Sequence, residues 1–219
     1  MNILITAGPT WVKIDEVRIL TSIFTGKTGL YLAQKFKENK HLVTLLINNH
    51  CINTIYKGIK LIPFRYFDEL KEAISKQLKK IKYDVIIHSA AVSDYKLKKT
   101  FKGKIPSGKE ELILKFTPTE KLIKLIRKLA PETVLVQFKL EVTKKCLIEK
   151  AYKSLKENKS DFVVANALED LKMGYKAFII DKSKKVITIN SKKNLFYALL
   201  KIIELSKNSN FTKIKNVLK

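Results

Sequence analysis

The sequence predicts an α/β protein: a doubly wound, Rossmann-like, mostly parallel sheet with a basic covering arm and a C-terminal β-hairpin. Three observations predict it. Short apolar runs alternate with stretches of helical periodicity along most of the 219 residues. The early runs, such as "DVIIH" and "DFVVA", are continuously apolar, as strands buried on both faces are. Near the end, "KAFIIDKSKKVITI" carries two strand-like runs around a polar turn, which reads as a hairpin.

Taken in order, "NILIT" (2–6) opens the chain as a strand, followed by helical periodicity over 27–37. Apolar runs at 42–47 and 60–63 are the next strands, and 67–80 reads as the second helix. A strand at 84–88 follows. Residues 95–116 then break the alternation: the stretch is basic, contains Gly103, Pro106 and Gly108, and ends in strand-like sequence at 112–116. It reads as a long arm on the core. Helix 120–129, strand 133–138, helix 144–156 and strand 161–165 resume the pattern. The hairpin strands lie at 177–180 and 186–189, and a last helix covers 193–205. The expected organisation is one domain over 1–206, with a polar, basic and frayed tail at 207–219.

Composition narrows the function. Hydrophobic residues make up 46% of the chain, enough for a globular core. No apolar run reaches the roughly 18 residues of a membrane helix. "MNILITAG" enters a strand with no basic leader or cleavage site, so a cytoplasmic protein is expected. Cys51 and Cys146 stand far apart, and His41, His50 and His88 form no ligand spacing, so no metal held by protein alone is expected. The net charge is +24, from 44 basic and 20 acidic side chains. The lysines are scattered and no basic-aromatic run stands out, so nucleic acid is not the expected partner, although the charge leaves that reading open. A solvated surface accounts for most of the charge, and a phosphate-rich ligand would benefit from it.

"FTGKTG" ends like a P-loop, but the motif's first glycine would fall at Thr21, and the nearest strand lies far upstream. A helix start needing glycine for close packing is the plainer reading. In a doubly wound sheet, ligands sit outside the carboxyl ends of the strands. The first strand is followed by "TAGPT" with Gly8, but a dinucleotide fingerprint would also need glycine at Thr10 and Lys13. The fourth is followed by "SAAVSDY". Ala90 and Ala91 are small enough to let a ligand lie on backbone, and Asp94 is either a turn residue or a carboxylate for a ribose hydroxyl or Mg2+. "QFKLE" with Phe138 and Glu141 follows the sixth strand. Asn166 follows the seventh, where an asparagine is often only a turn former.

Together, "LITAGPTWVKIDEVRILTSIFTGKTGLYLA", "SAAVSDY", "GKIPSGKEELILKFTPT", "VQFKLE" and "DFVVANAL" resemble, in order and spacing, phosphopantothenate–cysteine ligase, also called phosphopantothenoylcysteine synthetase. The resemblance covers about the first 190 residues. Many bacterial members carry a flavin-dependent decarboxylase in front, and this chain, starting at the ligase strand, looks like a stand-alone form with a separate decarboxylase acting next. The resemblance implies a ligase in coenzyme A biosynthesis that joins 4'-phosphopantothenate to L-cysteine. It implies CTP as co-substrate with Mg2+ (ATP in eukaryotic relatives), an acyl-cytidylate intermediate, and a homodimer.

By the same resemblance, the nucleotide site comprises Gly8, Gly26, Lys27, Ala90, Ala91, Asp94, Lys104, Thr119, Phe138 and Asn166. The catalytic residues are Lys104 on a covering loop, Arg18 in the phosphopantothenate region, and Ser22. The chain departs from the family at several places. Ser22 stands where asparagine is usual, and Thr119, Glu120 and Lys121 where Asn/Thr-Pro-Asp is usual. Ser154 and Asn158 replace two lysines, and Pro106 and Ser107 replace the further lysines of the covering-loop motif. The Ser22 departure also allows a non-catalytic or altered-specificity relative.

Overall fold

A computed structural model describes residues 1–52, 56–108 and 110–207. Six parallel strands carry the fold: β1 (Asn2–Ala7), β4 (Leu42–Asn48), β5 (Lys60–Phe64), β6 (Val85–His88), β9 (Val134–Glu141) and β10 (Phe162–Ala167). Two short ribbons interrupt them in sequence: β2 (Val12–Lys13) with β3 (Ile19–Leu20), and β7 (Tyr95–Leu97) with β8 (Phe116–Pro118). A hairpin of β11 (Ala177–Asp181) and β12 (Val186–Ile189) adds antiparallel to β10. The spatial order is β12-β11-β10-β9-β6-β1-β4-β5. Counting parallel strands alone, this is the doubly wound 3-2-1-4-5-6 order, and the winding reverses between β1 and β6.

Strand alternation distributes the core. Ile3, Ile5 and Ala7 of β1 face α1 (Lys27–Glu38) and α6 (Lys192–Lys207), whose Leu32, Ala33, Phe36, Leu195 and Leu199 cover them. Leu4 points the other way, into a cluster with α2 (Phe67–Lys80) and α3 (Leu122–Leu129). On that same face α4 (Leu147–Asn158) packs Leu147, Ala151 and Leu155 on Val163 and Ala165 of β10. Both faces of β1 and β10 are therefore buried, which accounts for their unbroken apolar runs.

The arm differs from expectation in two respects. Its closing strand lies at Phe116–Pro118 rather than 112–116, because the pairing partner is Tyr95–Leu97. The ladder stops at the bond from Lys98 N–H to the Lys115 carbonyl, since the chain then leaves so that Phe101 N–H can reach the carbonyl of Ile14. Leu112 and Ile113 are consequently exposed and unpaired to any strand. The arm also docks rather than standing clear: Ile105 is buried and the carbonyl of Gly103 accepts from Glu16 N–H. The β2–β3 ribbon, β7 and a short helix α5 (Leu168–Met173) are elements that apolar periodicity does not reveal. Beyond Lys207, the tail expected at 207–219 lies outside the described residues.

Candidate active site

The reversal point between β1 and β6 opens a crevice at the carboxyl ends of the strands. Its walls are tied by short bonds between the two loops that leave them. Ala91 N–H donates to the carbonyl of Gly8 and Thr10 N–H to that of Ala91, continuing the parallel pairing one step past the sheet. Asn48, fully buried at the end of β4, donates its amide to the carbonyl of Pro9 at 2.7 Å.

The glycines of "TGKTG" fit here by contact. Gly26 precedes α1 with φ of 70°, in the left-handed region, and a Cβ on it would lie 2.8 Å from the backbone nitrogen of Gly8. A Cβ on Gly29 would stand 2.6 Å from Ser89 Oγ and 2.7 Å from the Ala7 Cβ. Any side chain at either place would hold α1 away from the sheet. The first turn of α1 carries no acidic residue and no side-chain cap, so its N–H groups are left to face the crevice.

Two adjoining cavities occupy this end of the sheet. The first, about 410 Å³, is walled by Gly8, by 24–29, by Ser89–Val92 and Asp94, by Phe138–Leu140 of β9, by Asn166 of β10 and by Tyr175. The second, about 460 Å³, lies between α3 and α4, over His88, Gln137 and Glu141. Ala90, Val92, Asp94, Phe138 and Lys139 border both. The structure thus brings Gly8, Gly26, Lys27, Ala90, Ala91, Asp94, Phe138 and Asn166 to one cavity wall. Asp94 pairs with Lys121 at 2.6 Å. Asn166 donates to the Lys176 carbonyl at 2.8 Å.

Arg18, Ser22, Lys104 and Thr119 lie outside both walls. Thr119 pins the end of the arm to the Asp94 turn, its hydroxyl donating to the carbonyl of Ser93 and its N–H to that of Asp94. Arg18 pairs with the buried carboxylate of Asp15 and reaches the carbonyl of Ile105. Asp15 also accepts N–H donors from Val17, Arg18 and, at 3.0 Å, Ile105 of the arm. Burial alone would raise its carboxyl, but these donors outweigh burial and hold it at about 2. Lys104, next to Ile105, and Ser22 are exposed.

His88, Tyr175 and Lys139 are wall residues that the sequence did not mark as site residues. His88 is buried against Thr6 (Nδ1 to Oγ1, 2.9 Å), and burial holds the imidazole down at about 4, so it is neutral at pH 7. Tyr175 brings a phenol pushed up to about 12 by burial. Lys139 and Glu141 form an ion pair at 3.1 Å, and Lys150 holds the other Glu141 oxygen at 2.7 Å. The usable signal for Lys139 was strand length. β9 runs three residues past Phe138, which places 139 and 141 on one face. Among the described residues no cluster of three or more His, Cys, Asp or Glu side chains is placed to hold a metal ion, and no helix is long and apolar enough to cross a membrane.

Known proteins share this fold. A solved DNA/pantothenate metabolism flavoprotein from Streptococcus pneumoniae superposes with a TM-score of 0.85 at 26% identity, covering 94% of this chain and 99% of that one. The C-terminal domain of a coenzyme A biosynthesis bifunctional protein CoaBC gives 0.78, also at 26% identity, over 94% and 95%. The bifunctional CoaBC of Thermococcus kodakarensis is 36% identical over 170 residues, 77% of this chain and 41% of that protein. The chain spans about half the length of the curated relatives it matches. The family model for the DNA/pantothenate metabolism flavoprotein C-terminal domain matches residues 1–205, and the chain belongs to that family.

Proposed function

We propose that this domain is a phosphopantothenate–cysteine ligase that uses CTP, in coenzyme A biosynthesis. The observation that carries the reading is the pair of joined cavities at the reversal point. One is lined by a helix start free of acidic groups, and the other by side chains from α3 and α4. The relatives' names as coenzyme A biosynthesis proteins support it.

A carboxylate is a poor electrophile. In the proposed reaction an oxygen of the 4'-phosphopantothenate carboxylate attacks the α-phosphorus of CTP, and pyrophosphate leaves. The amine of L-cysteine then attacks the acyl carbon, the C–O bond to CMP breaks, and an amide forms with release of a proton. Neither Cys51 nor Cys146 is needed as nucleophile. This chain's part is to hold two anions together and offset charge on phosphate oxygens. The N–H groups at the start of α1, with Lys27, take an anionic group, while Ala90 and Ala91 let the ligand lie against backbone. Lys104 would reach the phosphates from the arm. Mg2+ fits as an ion that arrives on the triphosphate, with Asp94 able to offer one oxygen and water the rest, and it would neutralise phosphate charge. Exposed Val17, Leu20 and Ile23 support a homodimer, and a decarboxylase would act on the product.

Pyrophosphate release from CTP and Mg2+, with product identified by mass spectrometry, tests the reading. Release is expected only when phosphopantothenate is present, and amide only when cysteine is added. Equal release without the acid defeats the ligase reading. Activity with ATP alone replaces only the nucleotide.

A further inference from the structure

The junction between the two cavities has its own charge pattern. Five residues border both cavities, and among these Lys139 is the cation and Asp94 the anion. Asp94 is engaged by Lys121. Lys139 is held from below by Glu141, whose second oxygen is taken by Lys150, so two ammonium groups share one carboxylate and a unit of positive charge remains. The hydrogen bond from Lys150 holds the Glu141 carboxyl below the ordinary range, burial opposes this, and Lys139 adds to the lowering. The Lys139 side chain is 36% exposed and that of Glu141 only 19%, so the carboxylate forms the base and the ammonium the tip.

Beside this group Gln137, Ser154 and Asn158 form an uncharged patch in the second cavity, with the charged Lys150, Lys153 and Glu157 around it. Asn158 donates to the side-chain amide oxygen (Oε1) of Gln137 at 3.0 Å, and both Gln137 and Asn158 donate to Ser154 Oγ at 3.2 Å. Amides and a hydroxyl on a half-open floor suit the edge of a heterocycle better than a polyanion. A nucleotide with its base over that floor would run its phosphates toward the first cavity, past Lys139.

We propose that Lys139, aimed by Glu141, contacts the nucleotide's phosphate chain where the two cavities join, an inference that rests on the nucleotide-dependent reading above. An ammonium at that point donates to phosphate oxygens and brings the α-phosphorus toward the carboxylate held in the first cavity.

Calorimetric titration of CTP with Mg2+, and of ATP in parallel, into the wild-type chain, Lys139→Met, Lys139→Arg and Lys76→Met tests this. Lys76 is an exposed residue of α2, paired with Glu72, and matches the loss of charge elsewhere. Lys139→Met is expected to weaken triphosphate binding about tenfold or more, the worth of a hydrogen bond to a charged group. Lys139→Arg should restore most of it, and Lys76→Met should leave it near wild type. Unchanged affinity in Lys139→Met, an equal loss in Lys76→Met, or a wild-type chain that binds neither triphosphate overturns the contact. A Lys139-dependent affinity in a chain that releases no pyrophosphate with the acid upholds the contact and defeats the ligase reading.

Discussion

The crevice at the reversal point and the arm over 95–118 are built on opposite terms. In the crevice, backbone lies against backbone: Gly26 touches Gly8, Gly29 fits between Ser89 and Ala7, and buried Asn48 ties the loop after β1. The arm has a two-stranded base, a few backbone bonds, and two buried apolar side chains, Leu97 and Ile105. One carboxylate, Asp15, takes the N–H of Ile105 and steadies Arg18 at the same time. The crevice is thus fixed by packing throughout, while the segment proposed to cover it is held by a two-stranded base and by a few contacts to residues 14–18. Ordered packing suits preorganisation, and a lightly held segment suits a part that must move.

The comparison breaks first at Lys104. If the arm acts by closing, Lys104→Gln should lower turnover about 10²–10³-fold while leaving CTP affinity nearly unchanged, because the ammonium acts on charge that develops in the reaction. Steady-state kinetics beside titration reads this, with Lys102→Gln as neighbour. Equal losses in both variants would make the arm a diffuse positive cloud.

The crevice is sharpened by Gly29→Ala. The added methyl meets Ala7, on a strand with both faces covered, and Ser89, whose hydroxyl is spent on the Thr6 carbonyl. Overpacking of this kind should cost about 1–3 kcal/mol in denaturant unfolding. A neutral result would mean that α1 can shift outward and that the crevice is looser than its contacts imply.

The smallest effect belongs to Asp15. Its carboxyl sits at about 2 when folded against 3.8 when free. A depressed value stabilises the fold fully above the free value and loses that contribution as pH falls through about 2. Wild-type stability should therefore drop between pH 4 and 2. Asp15→Asn should be less stable above pH 4 and flatter below it. Parallel acid titrations of unfolding would sink the anchor role.

The sheet was legible in the sequence because both faces of its strands are covered, which writes continuous apolar runs into β1, β6 and β10. The glycine spacing at 26 and 29 was legible as a helix start in need of room. The arm was not legible in detail. The run at 112–116 looks like a strand, yet its pairing partner is fixed by Tyr95–Leu97 and by the detour to Ile14, both long-range contacts. Lys139 was hidden by a strand end read three residues too early. His88 and Tyr175 were hidden because cavity walls are assembled from distant segments, and no local pattern marks them.

Because β1 lies in the middle of the sheet, the order of synthesis matters. It pairs on one side with Leu42–Ile47 and on the other with Val85–His88. At roughly 5–20 residues per second, the ribosome delivers the second partner roughly 4–16 s after β1. For that interval one of the most apolar edges in the molecule waits without its neighbour, open to pairing with another nascent chain. Asn166 and Tyr175, which close the first cavity, emerge later still. A ribosome-bound chain therefore cannot gain stability from its ligands until most of it has been made, and its early protection rests on β4, β5 and the faces of α1 and α2.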